Sequence, residues 1–446
     1  MKIIIAGAGA VGMHLARMLS KDDQNVTLID QNIDKLAKLS QELDIMTLGQ
    51  SPLSIKAQKN AGVDDADLFI AVTPDESVNI TCCMIAKQLG AKKTVARVDT
   101  YEYVEQENKK LLAPSGVDHL IYPEKIAGQE IAESMQYSWV RQWWNFDGEL
   151  VLLSVKIHQL DNQLIGKTLR DISQGGHQFH VVAIIRSGDT IIPSGNEVIL
   201  DQDLVFFMAK RGEIDTIRHL TGKDHYPQVR HAMIIGGTKL AVRADWALSD
   251  KLSLKIIEPN EQVCERLSEQ TKDRTLIING AGYDIDLLND EGYDNLDALI
   301  ALTDNDEENI LACVAARNRG IRKTIAQVEN LAYMSMAEQL DIGTIINKKT
   351  ITASYIYQHM LKADVTNVKI LTIADADVAE FIVKENSIIS KRPIKDVGIP
   401  HNVNIGGLIR NGDGMLVSGN TQLKVGDRVV VFCAGKTLNK LDRYFK

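Results

Sequence analysis

The chain has 446 residues, 24% of them charged and 45% hydrophobic, with a formal net charge of −9. That is globular composition, long enough for roughly two to four domains, each with its own core. The acidic balance, with no Lys/Arg block that outweighs its neighbouring acids, excludes a binder of nucleic-acid phosphates, and no apolar run reaches the roughly 18–20 residues of a spanning helix.

From the N-terminus, "IIIAGAGAVG" (3–12) is an apolar strand running into Gly7, Gly9 and Gly12, a G-x-G-x-x-G loop ahead of the helical stretch "MHLARML". The opening mimics a secretory leader, but His14 and Arg17 follow at once with no A-x-A cleavage pattern, so the segment reads as strand and loop. The first glycine makes the tight turn, the second admits a pyrophosphate to the backbone, and the third lets helix pack on strand. "NVTLID" then ends in Asp30 at the tip of the predicted second strand. A carboxylate there accepts hydrogen bonds from an adenosine ribose, and the lack of a following Arg favours NAD over NADP.

The fourth strand ends in Thr73-Pro74-Asp75-Glu76. Thr73 suits an N-cap, Pro74 the first helical position and Glu76 the return half of a capping box. The same turn lies at the carboxyl ends of the strands, where such folds take ligands. Arg97, ending the next strand, either neutralises a phosphate or forms a surface ion pair. "PEKIAGQEIAESM" (123–135) is expected to be an amphipathic helix, serving as a subunit contact or as core packing. Trp139, Trp143 and Trp144 follow it, as a buried domain crossover or an interface anchor. From about 148 to 222, alternating strands with turns such as "RSGD" and "PSGN" predict a small β-rich α+β module, and "TGKDHYPQVRH" (221–231) is the expected linker.

The chain then repeats itself. "LFIAVTPDESVNITCCMIAKQLGAKKTVARV" (68–98) aligns without gaps on "ALIALTDNDEENILACVAARNRGIRKTIAQV" (298–328), at an offset of 303 − 73 = 230. "IIPSGNEVILDQDLVFFMA" (191–209) matches "MLVSGNTQLKVGDRVVVFCA" (415–434), where Asp203 meets Asp427 at 427 − 203 = 224. The order is A-B-A′-B′, and the strand–helix alternation of the A units predicts parallel sheets. The second glycine loop, "MIIGGTKLA" (233–241), keeps Gly236 and Gly237 but carries Thr238 and Ala241 where the first has Gly9 and Gly12, with Lys239 and Leu240 opening the helix. Glu258 ends its second strand, Thr303 and Asp304 open the matching turn, and Gln327 replaces Arg97. A functional nucleotide site there and a fold kept only for assembly are both open. "NKKTITASYIYQHM" (347–360) is the second amphipathic helix.

Five scattered cysteines form no C-x-x-C pair and fit a reducing cytoplasm, with Cys82, Cys83 and Cys313 on buried helix faces; ten histidines show no metal-ligand spacing.

On these motifs, with "LIGKTL" (164–169), essentially the whole chain resembles the TrkA family, cytosolic regulatory subunits of bacterial Trk potassium uptake built from tandem RCK (KTN) domains. The resemblance implies an α/β fold: two Rossmann-like parallel-sheet domains (1–137 and 231–362), each followed by a small β-rich TrkA-C domain (138–222 and 363–446). It implies NAD(H) and ATP/ADP binding at the glycine loops without catalytic turnover. Gly7, Ala8, Gly9, Ala10, Val11, Gly12, Asp30, Thr73, Pro74 and Arg97 would form the first site, and Gly236, Gly237, Thr238, Lys239, Leu240, Glu258, Thr303 and Asp304 the second. Family members often keep glycines in that second loop, from which the chain departs at Thr238 and Ala241. The resemblance also implies a homo-oligomeric ring, a tetramer or dimer of dimers, peripheral to the inner face of the plasma membrane through a TrkH- or TrkG-type subunit. Two alternatives are a regulator of a different channel or exporter and an NAD-dependent oxidoreductase. The latter needs a substrate domain with an acid/base group near the nicotinamide, whereas the B units are small and strand-rich, and His158, His177 and His180 lack counterparts in B′ beyond a loosely placed His401.

Overall fold

The strand–helix alternation expected of residues 1–136 is built as β1 (Lys2–Ala6), α1 (Ala10–Ser20), β2 (Asn25–Asp30), α2 (Ile33–Glu42), β3 (Met46–Gly49), α3 (Ile55–Asn60), β4 (Leu68–Ala71), α4 (Glu76–Leu89), β5 (Lys93–Arg97), α5 (Gln106–Leu112), β6 (His119–Ile121) and α6 (Pro123–Met135). The six strands pair in the order β3-β2-β1-β4-β5-β6, parallel throughout. The computed structural model describes all residues except 22–23, 160–161, 175–178, 361–364, 372–375, 436–437 and 446.

The β-rich module follows as β7 (Gln142–Asn145), β8 (Leu150–Lys156), α7 (Leu169–Ser173), β9 (Phe179–Arg186), β10 (Asp189–Ile191), β11 (Leu204–Lys210) and α8 (Ile214–Leu220), an antiparallel sheet in the order β10-β9-β11-β8-β7. The second half repeats both architectures. Its parallel domain runs β12 (His231–Ile235), α9 (Lys239–Ala247), β13 (Ser253–Glu258), α10 (Glu261–Gln270), β14 (Leu276–Asn279), α11 (Ile285–Asp290), β15 (Ala298–Ala301), α12 (Asp306–Asn318), β16 (Lys323–Gln327), α13 (Leu331–Gln339), β17 (Thr344–Ile346) and α14 (Lys348–Met360), with sheet order β14-β13-β12-β15-β16-β17. Strands β18 (Val365–Leu371), β19 (Ala376–Ile382), β20 (Val403–Arg410), β21 (Asp413–Leu416) and β22 (Arg428–Ala434), then α15 (Leu438–Phe445), close the chain in the order β18-β19-β22-β20-β21. Helix starts repeat with the strands. Asn32 and Asn260 cap α2 and α10, Ser54 and Asp284 cap α3 and α11, and Asp75 and Asn305 cap α4 and α12, each side-chain oxygen accepting a first-turn N–H.

The chain divides into two compact units, Met1–Lys125 with Lys348–Met360, and Ile126–Asn347 with Leu361–Lys446. In the first, α14 lies beside α1, and the His119 and His359 rings stack with centroids 3.7 Å apart. Helix α14 is not the amphipathic helix expected. Residues 350–354 are buried in succession, which encloses it on every side. In the second unit, Gly128 of α6 approaches α9 so closely that a Cβ there would lie 2.8 Å from the Arg243 carbonyl. Each terminal helix therefore packs on the other copy's domain.

The β-rich modules also depart from expectation. Their central strands β8, β11 and β22 are buried on both faces instead of alternating, β8 from Leu150 to Val155 without a break. One face of the β7–β11 sheet covers α7 and α8 with Trp139 and Trp143 in that core. The other packs on the β18–β22 sheet through Val182, Phe206 and Met208 against Val378, Val430 and Phe432. Trp144 stacks on Phe206 in this second core, so all three tryptophans are packing residues. The matched aspartates prove to be one device used twice. Buried Asp203 takes a two-pronged bond from Arg186 at 2.8 and 2.8 Å, and Asp427 takes one from Arg410 at 2.8 and 2.6 Å. The expected linker is held in place: Arg218 donates to the carbonyls of Lys223, Asp224 and Tyr226, and Thr221 and Lys223 are buried.

Candidate functional site

The order β3-β2-β1-β4 puts the chain reversal between β1 and β4, and a crevice at the carboxyl ends of such strands is where doubly wound sheets take ligands. Gly7 leaves β1 at φ +108°, and a Cβ on it would lie 3.0 Å from the Thr73 nitrogen. A Cβ on Gly12, in the first turn of α1, would lie 1.8 Å from the Gly7 carbonyl oxygen. Both glycines are explained by packing alone. Gly9 is not. Its φ of −73° suits any residue, and a Cβ there would meet nothing within 4 Å. Gly9 is also the N-cap of α1 and offers no side chain to the helix, so the N–H groups of Ala10, Val11 and Gly12 receive no cap from it.

Asp30, at the tip of β2, closes the other side. Its carboxylate accepts the Ala8 N–H at 2.5 Å and the Asn32 N–H at 2.8 Å, leaving acceptor capacity on both oxygens. Thr73 and Pro74 lie in the β4–α4 turn and Arg97 at the end of β5. The Arg97 guanidinium pairs with Asp99 at 3.0 Å, the ion-pair alternative among the expectations for it.

The capping expectation is corrected here. Asp75, not Thr73, caps α4, accepting from Ser77 and Val78, and Pro74 stands outside the helix. Thr73 is held instead by Asn79, whose Oδ1 accepts from the Thr73 N–H and hydroxyl at 2.8 Å each, while its Nδ2 donates to the Thr73 and Arg97 carbonyls. Glu76 reaches past its own helix to the Asp99 and Thr100 N–H groups. Asn79 and Glu76 tie the ends of β4 and β5 together and were not singled out as site residues. Their signal lay in the repeat, because Asn309 and Asp306 make the same bonds to Thr303, Gln327, Glu329 and Asn330.

The second loop has the same frame and a different interior. Gly236 turns at φ +101° against Thr303. Glu258 accepts the Gly237 N–H at 2.8 Å and the Asn260 N–H at 2.9 Å, the bonds Asp30 makes. Thr238 caps α9, its hydroxyl accepting the Ala241 N–H at 3.4 Å, so this N-terminus carries its own side-chain acceptor. Leu240 is buried; Lys239 and Asp304 are exposed. Gln327 is 2% exposed where Arg97 is half-buried.

The cysteines Cys82, Cys83 and Cys313 are buried on α4 and α12, and burial pushes the Cys82 and Cys313 thiols up to about 12. Of the histidines weighed for acid/base work, His177 lies outside the described residues, and burial lowers the pKa of His180 and takes His158 down to about 4. Among the described residues no group of His, Cys, Asp and Glu is placed to hold a metal, and no helix is long and apolar enough to cross a membrane.

The TrkA-N domain model matches residues 3–123 and 232–348, and the TrkA-C domain model matches 153–222 and 378–446. The chain is 32% identical to the Trk system potassium uptake protein TrkA of Vibrio alginolyticus over 98% of its length and 96% of that protein. It is 30% identical to the protein of the same name from Halomonas elongata, over 100% and 99%. Among solved structures, the GsuK RCK domain superposes with a TM-score of 0.62 at 15% identity, covering 99% of this chain and 94% of that one. The GsuK channel bound to NAD superposes with a TM-score of 0.60, also at 15% identity, covering 99% and 78%. At that identity the likeness establishes a shared fold.

Proposed function

We infer the function from one premise: the chain belongs to the TrkA family, proteins built from TrkA-N and TrkA-C domains. Its relatives are named for potassium uptake, and it is a potassium-transport protein with Rossmann-like nucleotide-binding domains, not an enzyme. We propose that it is the nucleotide-responsive regulatory subunit of a Trk-type system, with domains at 1–137, 138–222, 231–362 and 363–446. It binds NAD(H), and ATP or ADP, at the first glycine loop. It assembles as a homo-oligomeric ring on the inner face of the plasma membrane, against a TrkH- or TrkG-type subunit.

The observation that carries this reading is Gly9: open space at a position where any residue would be sterically accepted, at the start of a helix that it leaves uncapped. A pyrophosphate fits there, held by first-turn N–H groups and the positive end of the helix. Asp30 would orient the adenosine ribose with its remaining lone pairs. Ala10, exposed at the start of α1, and Val11, buried behind it, would offer backbone N–H groups, and Ala8 is buried with its N–H on Asp30. Gly7 and Thr73 would set the crevice wall, Pro74 would stiffen the turn, and Arg97 would trade Asp99 for a phosphate. A bound nucleotide adds charge and bridging contacts across the strand tips. It shifts the ring between two shapes only by binding one more tightly. In the second loop, Thr238 supplies the cap that a phosphate would otherwise provide. We therefore assign Gly236, Gly237, Thr238, Lys239, Leu240, Glu258, Thr303 and Asp304 a weaker site.

Calorimetric titration of the full chain with NADH tests this. Asp30→Ala is expected to weaken binding by about tenfold or more, and Glu258→Ala to leave the dominant binding step unchanged. Two equal steps, or equal losses in the two variants, would overturn the asymmetry. At limiting potassium, a Gly9→Asp/Asp30→Ala chain should fail to restore uptake to cells lacking this protein.

A further inference from the structure

We propose that the second compact unit holds a site for a small phosphate-class oxyanion, in the seam between the β7–β11 module and the β12–β17 domain. A small cavity there, with about 20 Å³ open to the centre of a water-sized sphere, is lined by Arg141, Lys156, Lys223, Arg317, Arg322 and Lys323. Two carboxylates serve these six cations. Asp341 pairs with Arg141 and, at 2.6 Å, with Arg317, and Glu338 stands 3.7 Å from Lys156. Lys323 Nζ donates to neutral oxygens, the Val140 carbonyl at 2.7 Å and the Thr344 hydroxyl at 3.2 Å.

That leaves Lys223 and Arg322 with no carboxylate among the described residues. Both stand over the ring of Tyr226, at 5.1 and 5.6 Å from its centroid. Lys223 is 4% exposed, and its ammonium donates to no described residue. An unpaired buried ammonium is costly, and native structures pair or neutralise it. Burial, reinforced by repulsion from its charged neighbours Arg141, Arg317 and Arg322, each itself a cation, takes it down to about 7. A tetrahedral oxyanion supplies what the cluster lacks: negative charge, and several acceptors for ammonium and guanidinium donors at once.

The site is separate from the glycine loops. Lys323 begins β16, whereas Gln327, the counterpart of Arg97, ends it. The anion would join three stretches of chain: the β7–β8 region, the 221–231 segment that connects the two halves, and the α12–β16 corner. It would thereby stiffen the connection between the halves. The occupant is free orthophosphate or the phosphoryl group of a mononucleotide.

The test is calorimetric titration of the full chain, dialysed into phosphate-free buffer at pH 8, with inorganic phosphate in two buffers of different ionisation enthalpy. The unmodified chain should bind phosphate with proton uptake, because an anion favours the charged form of Lys223. Lys223→Gln should lose the uptake and about tenfold or more in affinity, and Arg322→Gln severalfold in affinity. If Lys223→Gln does not fold, the exposed Arg322→Gln decides. A parallel titration with AMP identifies the source. Tighter binding that depends on Lys223 assigns a nucleotide phosphoryl group, exclusion of AMP assigns free phosphate, and either upholds the site. The proposal is overturned if millimolar phosphate produces no heat, or if affinity is unchanged in both variants. It is also overturned if Gly9→Asp, and not Lys223→Gln, removes binding, since the ion would then sit on α1.

Discussion

Gly9 and Thr238 occupy one position in two copies of one loop, and the difference between them is a Cβ bearing a hydroxyl. In the second copy that hydroxyl caps the helix; in the first the cap is left to something else. Gly12 is a different kind of glycine, because a methyl would strike the Gly7 carbonyl. Gly12→Ala is therefore expected to cost about 1–3 kcal/mol in chemical denaturation, and Gly9→Ala close to nothing. For NADH affinity Gly9→Ala remains damaging, since its methyl projects into the space left open beside the loop. The spacing gave the three glycines separate roles, turn, open approach and helix packing, and what a Cβ would meet at each position follows that division. Thr73 is the counterexample. The sequence pattern points to Thr73 as the cap, but Thr and Asp both cap well, and with Thr73 held by Asn79 it is Asp75 that caps α4.

At the scale of elements, the recurring unit is the clasp between neighbouring strand ends. Asn79 is 1% exposed and satisfies four polar groups, so truncating it strands the Thr73 N–H and two carbonyls in the interior. Asn79→Ala is expected to cost about 2–4 kcal/mol in urea denaturation and to weaken nucleotide binding indirectly by freeing the Thr73 turn. Asn79→Asp keeps the acceptor and loses the donors to both carbonyls, so its cost should be intermediate. A loss no larger than that of an exposed Asn→Ala change would dismiss the clasp. The β-rich modules make the opposite point. Their sequences predict alternating strands, yet each sheet has a second neighbour that no local pattern announces.

At the scale of the whole molecule, charge is unevenly stored. The chain is acidic overall, yet Arg141, Lys156, His158, Lys223, Arg317, Arg322 and Lys323 gather around one cavity with Asp341 and Glu338. Lys223 falls from the usual 10.5 to about 7 on folding, and burial and Arg141 push Lys323 the same way. Between those values the unfolded chain holds a proton that the folded chain lacks, so stability rises with pH; the penalty is full below about 7 and fades toward 10.5. In phosphate-free buffer, denaturation midpoints should climb from pH 7 to 9. Lys223→Met should lower that slope by roughly 1 kcal/mol per pH unit. An unchanged slope would show Lys223 charged and paired in the folded chain.

The duplication, the parallel sheets and the pairing of each glycine loop with an acid at the next strand tip were determined by sequence alone. These depend on neighbours in the chain: β1 pairs with β2, and the loop after one strand meets the end of the next. Tertiary structure alone decided which copy each terminal helix packs on, that the β-rich sheets are covered on both faces, and that scattered basic residues form a cluster. Those features rest on partners far apart in sequence, as in the bond from Lys323 to Val140, 183 residues away, and the pair Arg141–Asp341, 200 residues apart. A periodic pattern reports that a side chain is buried; it carries no record of which distant segment buries it.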